Sequence, residues 1–432
     1  MKADWINCNF EDILTLKNGF AFKSDKYSEN GTPVIRISDI NDAIVKTTNA
    51  KKVQDEENYE NYLVEFGDIL IAMSGATTGK FGIYKEQNKA YQNQRVGNFK
   101  LHCEELINKN YIYYLLYALR RQIEKDAYGG AQPNISSKKI EAMQITLAPL
   151  LEQKAIVAKI EQLFSELDNA VANLKTAKAK LKIYRQAVLK KAFTKETPDG
   201  RFEGELISNL TTKVGSGATP KGGKNVYKDS GIPLIRSMNV HFDKIKYDEM
   251  AYIDDEQAKK LDNVEVKEND VLLNITGASI GRVNIAPENL DGARVNQHVS
   301  ILRLKQELMF PKFLKYYIES PDLQNWITKE NYGTTRQALT KSMILNMLIP
   351  CPSFEEQNQI VQEIESRLSV CDKIEETIET SLAKSEALRQ SILKKAFEGK
   401  LLSEQELENI KNHPEYESAE ALLKRIKKER TK

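Results

Sequence analysis

The stretch "SGATTGK" at 74–80 carries residue types that grip a phosphate, and "TGASIGR" at 276–282 repeats the arrangement. A nucleotide-binding P-loop sets four residues between its first glycine and a Gly-Lys pair, then adds Ser or Thr to hold Mg²⁺. Here three residues separate Gly75 from Gly79, Lys80 precedes Phe81, and Arg282 precedes Val283. Without that hydroxyl the two stretches read as turns after the apolar strands "DILIAM" and "DVLLNI", closed by glycines that tolerate unusual backbone angles. A loose nuclease-like group, Asp255 with Glu265 and Lys267, lies in a charged segment and reads as solvated surface. Four scattered cysteines without a CxxC pair, and four histidines, indicate neither a disulfide framework nor a zinc site. No Asn-Pro-Pro-Tyr motif and no glycine-rich cofactor loop is present. The expectation is a chain with no catalytic residues, no metal and no cofactor of its own.

The elements that position these turns are themselves written twice. "GTPVIRISDI" (31–40) answers "GIPLIRSMNV" (231–240), and "NQRV" (93–96) answers "NQHV" (296–299). "YGGAQPNIS" at 128 answers "YGTTRQALT" at 332, "LEQKAIVAKI" at 151 answers "EEQNQIVQEI" at 355, and "RQAVLKKAF" at 185 answers "RQSILKKAF" at 389. The order is kept throughout. Each copy has a mixed segment of short strands and turns, followed by a long stretch free of Gly and Pro, bounded by Pro149 and Pro198 or by Pro352 and Gly399.

Both long stretches read as single helices. In the first, positions 156, 160, 163, 167, 170, 174, 177, 181, 184 and 188 are apolar in unbroken 4-3 spacing, the pattern of a coiled-coil seam. In the second, Ile360, Ile364, Cys371, Ile374, Ile378, Leu388 and Ile392 follow the same register, interrupted by Arg367, Ser381 and Ser385. The first is basic, with ten basic and four acidic side chains over 151–195; the second is acidic, with ten acidic and seven basic over 355–400. Attraction between them predicts an antiparallel pair. The expected fold is α+β: two similar mixed α/β domains joined by two long antiparallel coiled-coil helices with pseudo-two-fold symmetry. Its boundaries are domain 1 at 1–149, helix 1 at 150–197, domain 2 at 198–352, helix 2 at 353–399, and a tail at 400–432 packing near domain 1.

With 432 residues, 41% hydrophobic and 29% charged, the chain has the make-up of a globular protein with two or three cores. No apolar leader opens the sequence and no run is long enough to cross a membrane, so no membrane partner is expected and the expected location is the cytoplasm. A net charge of +2 neither supports nor excludes nucleic acid.

Taken in their doubled order, these motifs resemble the specificity subunit of type I restriction-modification enzymes, and the resemblance covers nearly the whole chain. It implies two target-recognition domains held apart by helical spacers, each reading one half of a bipartite site on double-stranded DNA. It further implies no activity in the chain itself. As partners it implies two modification subunits that methylate adenine with S-adenosylmethionine, and two restriction subunits that form an ATP-dependent nuclease.

If the half-sites differ, residues common to both copies cannot encode the difference. Arg36 and Arg236, Lys80 and Arg282, and Asn93-Gln94 with Asn296-Gln297 are therefore expected to contact phosphate or to serve as scaffold. Base reading is expected where the copies diverge: 41–64 against 240–266, 81–92 against 283–295, and the loops holding Gln132 and Asn134 or Arg336 and Gln337. The competing reading is a coiled-coil scaffold whose doubled domains bind proteins, with no role for DNA.

Overall fold

The computed structural model describes residues 4–41, 43–128, 133–194, 202–220, 222–223, 227–330 and 338–430. The chain divides into two compact units, Met1–Ala172 with Ser381–Lys432, and Asn173–Thr380.

The first unit is built around the apolar run that precedes "SGATTGK". Ile69–Ala72 is buried on both faces, as a continuous apolar strand must be, and it sits inside a six-stranded sheet. The spatial order there is Leu14–Asn18, Val96–Leu101, Ile69–Ala72, Phe81–Tyr84, Ala43–Val45, Ile40–Asn41. A smaller sheet centres on Thr32–Ile35, antiparallel to Lys51–Val53 and parallel to Ala90–Gln92. A two-stranded pair, Ile6–Asn9 with Gln144–Leu147, closes the unit.

The second unit repeats the core of this plan with fewer strands among the described residues, four in the larger sheet and three in the smaller, against six and five in the first. Val271–Asn274 is again fully buried, in the order Thr211–Ser216, Val299–Leu304, Val271–Asn274, Val283–Ile285. Ile232–Ile235 lies antiparallel to Ala251–Ile253 and parallel to Arg294–Val295, and Gly204–Leu206 pairs with Leu348–Pro350. The entry to the central strand is pinned alike in both. Buried Asp68 accepts from Asn98 and Lys100 at 2.8 Å, and buried Asp270 accepts from Arg303 at 2.8 and 2.9 Å. What differs is the packing under the small sheet. The first unit fills it with aromatic rings, Phe20, Phe22, Tyr59 and Tyr91, at centroid distances of 4.8–6.2 Å. The second unit uses aliphatic side chains such as Leu234, Val264 and Leu290.

Two long helices, Leu150–Ala192 and Phe354–Phe397, run through these units. In the first unit Ile156, Val157 and Ile160 of one share a core with Ile392, Leu393 and Ala396 of the other, and Arg389 both pairs with Asp168 and lies 4.8 Å over the Phe164 ring. In the second unit Lys178 meets Glu379 at 2.8 Å, while Arg185 meets Asp372 at 2.7 Å and Glu375 at 3.0 Å. Residue numbers rise along one helix as they fall along the other, so the pairing within each unit is antiparallel.

Five of the seventeen expected seam positions are displaced by one residue. Ala170, Ala177, Tyr184, Ile374 and Leu388 are exposed, and Lys178, Arg185, Glu375 and Arg389, one residue further on, face the partner helix, while Val171 is half-buried. Heptad spacing survives, but alternate seam positions carry charge. Long Lys and Arg stems cover apolar surface while their heads reach the opposing carboxylates. Reading for hydrophobicity alone selects the apolar neighbour instead.

The tail belongs to the first unit. Ser403 caps the helix Glu404–Lys411, and Glu406 reciprocates to the Ser403 N–H at 2.7 Å. Helix Ala419–Arg430 buries Ala419, Leu422, Leu423 and Ile426, the last three in the core that also holds Trp5 and Phe10. Lys427 pairs with Asp12 at 2.8 Å, and Arg430 donates to the Glu11 carbonyl at 3.0 Å. No described helix is long and apolar enough to cross a membrane.

Candidate nucleic-acid interface

The twin glycine motifs are β-turns with matching hydrogen bonds. Gly75 and Gly79 have φ of 83° and 87°, and Gly277 and Gly281 have 71° and 84°, a region open to glycine at little cost. Gly79 N–H donates to Ala72 and Ala72 N–H to Lys80; Gly281 and Asn274 do the same with Asn274 and Arg282. A Cβ on Gly79 would meet Glu124 Cγ at 3.0 Å, and one on Gly281 would meet Gln324 Oε1 at 2.8 Å. The glycines therefore let a hairpin pack close to a helix, which accounts for their repetition without any phosphate grip.

Beside each hairpin lies the Asn-Gln turn. Asn93 N–H donates to the Ile35 carbonyl and Asn296 N–H to the Ile235 carbonyl, both at 3.0 Å. The Asn side chains accept from the backbone two residues on, Arg95 N–H at 3.2 Å and His298 N–H at 3.0 Å. Asn93 and Asn296 are thus turn-holding residues, and Asn296 is buried. Gln94 and Gln297 project outward beside them.

The other expected contact residues fall into distinct settings. Arg36 is half-buried, donates to Asp39 at 3.2 and 3.4 Å and to the Asn49 carbonyl at 3.3 Å, and so braces its own loop. Its counterpart Arg236 donates to the Glu249 carbonyl and lies 5.6 Å over the Tyr227 ring. Lys80 and Arg282 are half-exposed at the ends of the two hairpins, and no ion pair engages either among the described residues. Asn134 is exposed and bridges to Ser74 beside the first hairpin. Gln132, Arg336 and Gln337 lie outside the described residues.

Two clefts result, each beside a glycine hairpin. Asn18, Ser74, Gly75, Gln94, Arg95 and Asn134 line the one in the first unit. Ser237, Met238, Thr276, Gly277, Arg282 and His298 line the one in the second. Arg95 and His298 are additions to the expected set. Their signal was present in "NQRV" against "NQHV", but attention to the shared Asn-Gln pair passes over the residue that differs.

The divergent segments 41–64 and 81–92 come together in the first unit around Asp55. The Lys89 ammonium (2.6 Å) and the Thr32 hydroxyl (2.6 Å), with Tyr91 Oη at 3.0 Å, hold its carboxyl down to about 2. Asp55 is therefore ionised and engaged at neutral pH. The tyrosines of the helix Lys109–Ala127 pack inward: Tyr111 is fully buried against Phe397, and Tyr113 and Tyr117 sit edge-on to Phe81. Glu265 pairs with Lys267. Among the described residues no group of His, Cys, Asp and Glu could hold a metal ion.

Comparison with known proteins returns one family, the type I restriction modification DNA specificity domain, whose model matches residues 2–177 and again 211–384. The chain is 28% identical to the type I restriction enzyme EcoBI specificity subunit of Escherichia coli, over 99% of this chain and 92% of that one. It is 25% identical to the EcoKI specificity subunit of Escherichia coli K12, over 99% and 95%. Its fold is similar to a chain solved in a study of complex assembly and conformational transition of the type I R-M system, with TM-score 0.70, 18% identity and coverage of 93% and 99%. The HsdS subunit of Thermoanaerobacter tengcongensis is similar at TM-score 0.59 and 17% identity, with coverage of 93% and 98%.

Proposed function

The chain belongs to the type I restriction modification DNA specificity family, and from that membership we propose that it is the DNA-recognition subunit of a restriction-modification complex. Each unit reads one half of a bipartite duplex site. The observation that carries this reading is the doubled hairpin and Asn-Gln turn, whose backbone bonds are the same in both units while the side chains lining the two clefts differ. A repeated frame with unlike reading groups suits two half-sites of unlike sequence.

Within this reading Lys80, Arg282 and Gln94 contact phosphate, and Asn134 faces base edges. Gln132, Arg336 and Gln337, which lie outside the described residues, are expected to read bases as well. Arg36, Asn93, Arg236 and Asn296 act from behind, as the frame that aims the others. Domain 1 spans 1–149, domain 2 spans 198–352, and the helices between and after them set the distance between half-sites.

Catalysis is supplied by partners: two modification subunits that methylate adenine and two restriction subunits that cut, with the assembled complex in the cytoplasm. The side chains left outside the helix seam in the second unit, Ile183, Tyr184, Val370 and Ile374, are 44–70% exposed and offer an apolar surface for the modification subunits. Mapping methylated adenines in cells that carry this chain with its modification partner tests the whole reading. The expected outcome is a site of two short words with a fixed gap; marks at single contiguous words would overturn it.

A further inference from the structure

Resting on the DNA-recognition reading, we propose that the third residue of the Asn-Gln turn sets the difference between the two half-sites: Arg95 reads guanine in one, and His298 orients Gln297 toward adenine in the other.

The backbone at this position is fixed in both units. Besides the Asn side-chain bond to its N–H, its carbonyl accepts from the residue that follows the central strand, Met73 N–H to Arg95 at 2.9 Å and Ile275 N–H to His298 at 3.0 Å. One side chain therefore departs from the same frame in each unit, toward the cleft beside the glycine hairpin. Of the four-residue motif only this residue differs.

In the first unit that residue is exposed, and among the described residues no side-chain hydrogen bond or ion pair engages the Arg95 guanidinium. A planar fork of free donors on a pinned backbone matches the paired N7 and O6 acceptors of guanine.

The second unit is arranged differently. Gln297 Nε2 is 3.0 Å from His298 Nε2, and because an amide nitrogen only donates, the ring nitrogen accepts. The proton of the neutral ring then sits on Nδ1, which donates to Thr276 Oγ1 at 2.5 Å. Gln297 Oε1 accepts in turn from the Thr219 hydroxyl. The amide of Gln297 is thus locked by partners on both of its ends, with one N–H and one lone pair left over. That donor-acceptor pair is what the N6 and N7 edge of adenine requires. His298 acts through Gln297 and is a positioning residue.

The test selects duplexes from a randomised pool with the full-length chain, wild type and variants, in parallel at two salt concentrations. Arg95→Ala is expected to reduce preference for guanine at one position of one half-site by roughly 10- to 100-fold, the scale of a bidentate base contact, with the other half-site unchanged. His298→Ala and Gln297→Ala are expected to relax adenine at the same single position of the other half-site to the same degree, with the double variant no worse than either. His298→Arg is expected to introduce guanine there. An even loss of affinity across all sequences in Arg95→Ala, with the salt slope reduced by about one, makes Arg95 a phosphate contact and overturns this inference while leaving DNA recognition standing. Additive losses for His298 and Gln297 overturn the positioning role. A wild-type chain that enriches no sequence removes the underlying reading as well.

Discussion

The side chain of Gln153 is buried and accepts the backbone N–H of Asn108 at 3.0 Å, the N-cap of the helix Lys109–Ala127, while its Nε2 donates to the Ala148 carbonyl at 2.8 Å. Gln357 does the same in the second unit, accepting from Phe310 N–H at 2.8 Å and donating to the Leu308 and Pro352 carbonyls. One amide thus ties the start of a long helix to the start of a domain helix. Gln153→Leu leaves a buried N–H and a buried carbonyl without partners, at about 1–3 kcal/mol for each group. Urea unfolding followed by Trp5 fluorescence should show the loss, and Gln357→Leu should show it at Trp326.

The exposed apolar residues beside the helix seam give a prediction about assembly. Ile183→Glu and Ile374→Glu change side chains that are 70% and 44% exposed, so each should alter stability by no more than about 0.5 kcal/mol. Placed in the centre of an apolar contact, the same charges should weaken association with the modification subunit by at least tenfold, since a buried unpaired carboxylate costs several kcal/mol. Co-purification and calorimetry of the variants measure this. Retained assembly would place the partner elsewhere.

Acid should loosen the tail. The Glu406 carboxyl is held down to about 2 by hydrogen bonds from the Ser403 N–H and hydroxyl, joined by Lys159 at 3.2 Å. A depressed carboxyl contributes stability that is fully present above its usual value of 4.5 and is lost as pH falls toward 2. Carbon-detected titration should find the Glu406 carboxyl near the bottom of that window, and Ser403→Ala should raise it. In Ser403→Ala, protection of helix Glu404–Lys411 should change less between pH 5 and pH 3 than in the wild type.

Much of this architecture was legible because duplication supplies its own alignment. Residues whose type follows from backbone geometry, such as Gly79 and Gly281, or from a buried bond, such as Gln153 and Gln357, stand in register and mark the frame. The seam was legible at its apolar positions only. Ile364, Cys371, Ile378 and Ile392 are apolar and face inward, whereas Lys178 and Glu375 face inward through a cross-helix pair 3.5 Å apart, which hydrophobic spacing cannot register. For Arg36 and Asn93 the sequence left two roles open, phosphate contact or scaffold, because a side chain that braces its own loop has the same composition as one that reaches for a ligand. Distance decides, and sequence carries none.

The register of the two helices also decides how the distance between half-sites can be edited. Asp168 pairs with Arg389, so the residues facing 167–173 are those around 384–390. Deleting 167–173 together with 384–390 removes one heptad from both helices at the same level, keeping the apolar and charged seam positions in phase on either side of the cut. Each helix shortens by about 10 Å at 1.5 Å per residue. At about 3.4 Å per base pair, the gap between methylated half-sites should contract by about three base pairs while both half-sites keep their sequences. Deletion in one helix alone breaks the charge register and should abolish folding or modification altogether. Methylation mapping of the double deletion checks the outcome, and an unchanged gap would show that the helices do not set the spacing.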